Sequence, residues 1–208
     1  LLLFSCSTNE TDISKNQSLD LLKTYTINRD INGAYSLDYN LNSNVETENV
    51  IDFKTNTNKI YLYSSDKQSS RKVTQELLID GTQLKVGFVD TNTDKSHNIT
   101  ISDDNLTVAQ KTDNKKLKDY NISSNSDGTY TLDFSVNKKV RVDFVFNEEI
   151  ETYEVHLEEG KTGELNFSRV LEKQEGKALK IDFLNHVANT QAKGDAISII
   201  RKPRAIIL

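Results

Sequence analysis

The sequence predicts an all-β protein made by duplicating one unit, and three observations carry that expectation. First, apolar and polar residues alternate with a period of two. In residues 33–42, Tyr35, Leu37, Tyr39 and Leu41 alternate with Ala34, Ser36, Asp38 and Asn40, the pattern of a strand with one buried face. Second, this stretch returns 95 positions later, from Gly33 to Gly128, in the same phase: Tyr130, Leu132, Phe134 and Val136 alternate with Thr129, Thr131, Asp133 and Ser135. Third, turn residues recur about every 8–12 positions, and no segment keeps a 3.6-residue apolar period long enough for a stable helix.

The repeat extends well beyond one strand. Leu22, Tyr25 and Ile27 meet Leu117, Tyr120 and Ile122; Val45 and Val50 meet Val140 and Val145. Ile60 and Leu62 meet Val155 and Leu157, and Leu84, Val86 and Phe88 meet Leu179, Ile181 and Phe183. One register runs without a gap from Leu22 to Phe88, although residues 64–80 match poorly. A period this long is that of a whole small domain, not of a solenoid turn. The reading is an internal duplication giving two tandem β-sandwich domains, residues 21–112 and 113–208. A residual signal peptide (1–5) and a lipidated Cys with a flexible tether (6–20) precede them.

Taken in order, the first copy offers strands at 22–28, 33–41, 45–53, 58–64, 71–79, 83–89, 97–102 and 105–110. Asp80-Gly81 signals a tight turn, residues 90–95 form a polar turn, and residues 112–116 read as the linker. The second copy offers strands at 117–123, 128–136, 139–146, 150–158, 164–171, 177–184 and 195–201. Asn137-Lys138 is expected to make its first hairpin turn, while Asp127-Gly128 and Glu175-Gly176 open strands. Residues 185–193 have room for one helical turn. Seven or eight short strands per copy resemble the immunoglobulin-like β-sandwich in general architecture. The Cys…Trp…Cys signature is missing, since the chain has no Trp and a single Cys.

That Cys carries the most specific motif. Leu1, Leu2, Leu3 and Phe4 lead into Ser5 and Cys6, and polar sequence follows. The arrangement resembles the lipobox that ends a bacterial lipoprotein signal peptide. The resemblance implies cleavage between Ser5 and Cys6, a lipid on Cys6, and a place at the bacterial outer membrane, on its surface or its periplasmic face. Glu10 and Asp12 are similar to the acidic export signal of Bacteroidota surface lipoproteins. The Asn- and Lys-heavy, strand-rich chain is similar to that group's surface proteins. No other stretch approaches the ~20 apolar residues that span a bilayer, so the lipid is expected to be the only membrane attachment. With one Cys, the fold does without an internal disulfide.

A net charge of −5 with both signs interspersed argues against a nucleic-acid partner, which calls for a basic stripe. No G-x-S-x-G elbow, phosphate-cradling glycine loop or H-E-x-x-H motif is present. His97, His156 and His186 are scattered, without a carboxylate or His partner at ligand spacing. His156 alternates with Val155 and Leu157 and is expected to face solvent. Two stretches remain as candidates. Asp90, Asn92 and Asp94 alternate like the oxygen ligands that open a calcium loop, but Lys95 and Ile101 stand where that loop needs Gly and Glu. A plain polar hairpin is the alternative. Tyr61 and Tyr63 alternate with Ile60 and Leu62, so both rings should face outward. There they could stack on sugars, pack on a partner, or simply suit a strand.

The expected function is that of a non-enzymatic, lipid-anchored cell-envelope protein: a spacer, an adhesin, or an accessory subunit of an outer-membrane complex. Its partners would be the membrane, through the lipid on Cys6, and an envelope protein or polysaccharide. No cofactor is expected apart from calcium at Asp90, Asn92 and Asp94. The alternatives are a glycan-binding surface lipoprotein using Tyr61 and Tyr63, and an enzyme whose site carries none of these motifs.

Overall fold

The period-2 alternation becomes a pattern of inward and outward side chains. The computed structural model describes residues 19, 21–67, 72–104, 116–160, 163–173 and 176–186. Its strands are β1 (Leu22–Arg29), β2 (Tyr35–Leu41), β3 (Val45–Asp52), β4 (Thr57–Ser64), β5 (Lys72–Glu76), β6 (Gln83–Asp90) and β7 (Lys95–Asp103). There follow β8 (Leu117–Ser124), β9 (Tyr130–Val136), β10 (Val140–Asn147), β11 (Thr152–Glu159), β12 (Asn166–Leu171) and β13 (Leu179–His186). They form a six-stranded sheet, β12-β9-β8-β1-β2-β5, and a seven-stranded sheet, β10-β11-β13-β7-β6-β4-β3. Among the described residues there is no α-helix, and hence none long and apolar enough to cross a membrane.

The repeat is visible strand by strand. The antiparallel pair β1–β2 is matched by β8–β9, β3–β4 by β10–β11, and β2–β5 by β9–β12. The parallel pair β4–β6 is matched by β11–β13. Leu37 and Leu132 are both fully buried, opposite Ile27 and Ile122 respectively. The poor match over residues 64–80 has a structural cause. Ser36 faces Glu76, whereas its counterpart Thr131 faces Val170. The correspondence between β5 and β12 therefore slips by one, and Ile79 answers to Lys173.

The expectation of two sandwiches in tandem needs correction, because each sheet draws strands from both halves. β1 pairs with β8, and Ile27 lies opposite Ile122, its own counterpart. A local two-fold axis thus passes through that pair. A half on its own would leave β1 or β8 as an open edge, a template for unwanted pairing. Joining the two removes both edges. In the other sheet β7 stands between β6 and β13. Strands related by a two-fold axis through the sheet run in opposite directions, so a strand between them must be antiparallel to one and parallel to the other. β7 is antiparallel to β6 and parallel to β13. The buried apolar residues of both halves form one cluster between the sheets.

A second correction concerns Asn137-Lys138. These residues lead from β9 in one sheet to β10 in the other, with Lys139 at φ 72. They turn a corner of the sandwich and make no hairpin; the first hairpin of this half is β8–β9. The 112/113 boundary, the strands expected at 105–110 and 195–201, residues 187–193 of the expected helical turn, and residues 6–18 and 20 of the expected tether lie outside the described residues. Asn185 and His186 belong to β13. Leu19, expected in the tether, is instead buried in the core, its carbonyl accepting the Leu22 N–H at 3.2 Å. Of the expected linker, Lys116 is described. Its ammonium is buried and donates to the carbonyls of Leu157 (3.1 Å) and His186.

Candidate functional site

Of the residues singled out from sequence, Tyr61 and Tyr63 lie on the outer face, whereas Asp90 is buried. β4 turns Ile60 and Leu62 into the core, with Tyr61 and Tyr63 on the opposite face. The Tyr63 hydroxyl donates to Glu48 Oε2 on β3 at 3.0 Å, which raises its pKa. Asp90 ends β6 fully buried, and its Oδ1 accepts the Asn92 N–H at 2.9 Å. Asp90 Oδ2 is buried without a hydrogen-bond partner. The Asn92 amide donates to Ser64 Oγ, and Asp94 is exposed at φ 54 in the turn. Among the described residues no three His, Cys, Asp or Glu side chains are grouped to hold a metal ion.

Sequence spacing missed a histidine pair. β11 and β13 are adjacent parallel strands, so His156 and His186 stack, with ring centroids 5.0 Å apart and planes within 7°. His156 Nδ1 lies 2.7 Å from His186 Nε2, and His156 Nε2 lies 2.9 Å from Glu154 Oε2.

The densest polar constellations lie inside, at the two ends of β7. Its inward residues are His97, Ile99, Ile101 and Asp103: apolar in the middle, polar at each end. About six residues of strand, roughly 20 Å, separate those ends. Each end meets the same pair of tyrosines from the opposite sheet, once per copy: Tyr25 and Tyr130 near His97, their counterparts Tyr120 and Tyr35 near Asp103. The phenol ring of Tyr25 packs on Phe88 at 5.1 Å, as that of Tyr120 stacks on Phe183 at 4.7 Å.

At the His97 end the constellation is complete. Lys173 Nζ is 2.7 Å from His97 Nδ1. An ammonium can only donate, so Nδ1 accepts and Nε2 carries the proton. Nε2 then donates to the Tyr25 hydroxyl at 2.7 Å, with the Tyr130 hydroxyl at 3.3 Å. Burial, and secondarily the Lys173 charge, hold the His97 pKa down to about 3. Ser124, the counterpart of Arg29, is small, and its Oγ accepts the Tyr25 N–H at 2.8 Å.

At the Asp103 end the cation comes from the strand itself. Arg29 is buried, with Nε 3.1 Å from Asp103 Oδ2 and Nη1 donating to the Lys118 carbonyl at 3.0 Å. Arg29 Nη2 and the Tyr120 hydroxyl are buried without hydrogen-bond partners. The Tyr35 and Tyr120 rings meet edge to face with centroids 6.1 Å apart, and the Tyr35 hydroxyl interacts with both Tyr120 and Arg29. Burial pushes Tyr35 up to about 12 and Tyr120 well above the usual phenol range. Both stay protonated at neutral pH and can donate. Above them opens a cleft of about 720 Å³. Its lining includes Arg29, Tyr35 and Tyr120, together with Leu77, Leu78 and Ile79. Where Lys173 closes one end, Ile79 leaves the other open. Sequence reasoning passed over these residues because tyrosines in strands are unremarkable until both copies are aligned. The differences Arg29 against Ser124 and Ile79 against Lys173 then become the signal. No family model, curated protein or solved structure matches the chain.

Proposed function

We propose that the chain is a non-enzymatic, lipid-anchored cell-envelope protein that binds a ligand in the Arg29–Tyr35–Tyr120 cleft. The lipid on Cys6 would hold it at the bacterial outer membrane, with residues 7–18 as the tether, since Leu19 is already buried in the core. The observation that carries the binding role is the cleft itself. Its volume falls within the usual range for ligand sites, and it joins polar residues to the apolar side chains of Leu77, Leu78 and Ile79. That favours an adhesin or a capturing subunit over a plain spacer.

The test is native purification from membranes, with mass spectrometry of the N-terminal peptide and of whatever accompanies the protein. A diacylglycerol-modified Cys6 is expected, since two or more chains give stable attachment. An unmodified Cys6 would overturn the anchor and the compartment together. The glycan-capturing alternative on the outer face draws support from the outward rings of Tyr61 and Tyr63.

A further inference from the structure

We propose that β10 is the contact between two copies of this chain, each pairing its β10 antiparallel with that of the other about Val142. β10 ends the seven-stranded sheet, with β11 on one side and no described strand on the other. An open edge presents free N–H and C=O groups to any extended chain, and proteins guard it by keeping it short or charged. Two of the other edges are short: β5 has five residues and β12 six, against eight in β10.

The fourth edge, β3, is the counterpart of β10 and equally long, and the contrast between them singles out β10. β3 turns Glu46 and Glu48 outward, opposite Tyr63 and Tyr61, and Thr47 and Asn49 inward, opposite Leu62 and Ile60. Two copies of β3 side by side would set carboxylate against carboxylate over a polar inner row. At the same places β10 carries Arg141 and Asp143 outward, and Val142 and Phe144 inward, opposite Leu157 and Val155. Where β3 has two acids, β10 has a base and an acid. Where β3 has two polar residues, β10 has two apolar ones. Phe146 continues the inner row and is 38% exposed.

The charges choose the register. A strand that pairs with its own copy across a two-fold axis, keeping its faces, is centred on a residue, so residues equally far on either side of it meet. Centred on Arg141 or Asp143, like charges meet on the axis. Centred on Phe144 or Val145, Asp143 meets the partner's Val145 or the partner's Asn147 and stays unmatched. Centred on Val142, Arg141 meets the partner's Asp143 and Asp143 the partner's Arg141, while Val140 packs on the partner's Phe144. Opposite charges facing each other across two strands attract. Both side chains have capacity for this. Arg141 uses one nitrogen on Glu158, and the Asp143 carboxylate is exposed, with no ion pair or hydrogen bond among the described residues.

The experiment is sedimentation velocity of the full chain across a concentration series, with Cys6→Ser so that the native thiol forms no bond. A reversible dimer is expected. Arg141→Asp should raise its dissociation constant about tenfold or more, two attractions having become repulsions, and Arg141→Asp with Asp143→Arg should bring it back. Glu46→Gln on β3 should leave it unchanged. Arg141 and Asp143 are exposed, so the circular dichroism of these variants should stay that of the parent. The register is read separately. Val142→Cys places two thiols on the axis and should give a disulfide-linked dimer on mild oxidation, and Val145→Cys should not. A monomer at every concentration would overturn the proposal. So would a dimer indifferent to Arg141→Asp, or one that cross-links through Val145→Cys and not through Val142→Cys. None of these outcomes bears on the ligand cleft.

Discussion

The two ends of β7 face the same pair of tyrosines in two copies, yet one end is closed and the other open. At the closed end the cation is Lys173, reaching in from beyond β12 to His97, while Ser124 binds the Tyr25 N–H. At the open end the cation is Arg29, rising from β1 to Asp103. The two halves present equivalent tyrosine pairs, and the odd strand on the axis equips each differently. An inward His at one end and an inward Asp at the other decide which cation each accepts. The comparison teaches that symmetry here is a property of the strand pairing, and that the buried polar side chains are where the halves depart from it.

The sharpest way to break the comparison is to remove one partner of the buried charge pair. Asp103→Ala strands the Arg29 guanidinium in the interior and should cost about 3–5 kcal/mol in denaturant unfolding. Replacing both, as Arg29→Met with Asp103→Leu, should recover most of that. A single-variant loss under about 1 kcal/mol would mean that water reaches Arg29.

Leu37→Ala and Leu132→Ala probe the shared core at matched positions. Each should cost about 2–5 kcal/mol, and the two losses should be close to each other. Markedly unequal losses would say that the halves are less equivalent than their strand pairing.

The closed end should respond to acid. Unfolded His97 takes a proton near 6.5, while the folded form waits until about 3. Between those values the unfolded state binds more protons, so stability falls as pH drops through that window. His97→Gln should flatten this dependence when midpoints at pH 7 and pH 4.5 are compared. An unchanged slope would remove His97 from the account.

The smallest effect on folding is expected on the outer face. Tyr61→Ala and Tyr63→Ala should shift stability by no more than about 0.5 kcal/mol. If polysaccharide retention drops in these variants and not in Ile79→Lys, the outer face is the capturing surface instead of the cleft.

Much of this architecture was legible in the sequence, and what escaped did so for physical reasons. Alternation tells which residues of a strand point inward, so Tyr35, Leu37 and Ile60 were placed in the core at once, and the strand limits came within a few residues. Alternation is silent on which strand lies beside which, however. Asn137-Lys138 turns a corner between sheets with the same polar chemistry as a hairpin. The β1–β8 pair joins residues almost a hundred positions apart, at Ile27 and Ile122, and leaves no local mark. The one-residue slip between β5 and β12 hid the pairing of Ile79 with Lys173. β7 lay past Phe88, where the repeat register stopped, so nothing flagged it as the strand on the axis. His156 and His186 met because β11 and β13 are neighbours, which spacing along the chain does not reveal.

The central claim is that the two halves interlock through β1 and β8 within one shared sandwich. Thr26 and Ser123 lie directly opposite on those strands, with side-chain oxygens 3.0 Å apart. A Thr26→Cys/Ser123→Cys variant, made with Cys6→Ser so that no other thiol competes, tests the pairing at a distance suited to a disulfide. Mild oxidation should close an intramolecular bond, read as a two-hydrogen mass loss in the monomer and as a linked peptide pair on digestion. Two free thiols after oxidation, or cross-links only between molecules, would contradict the shared sandwich and restore two separate domains.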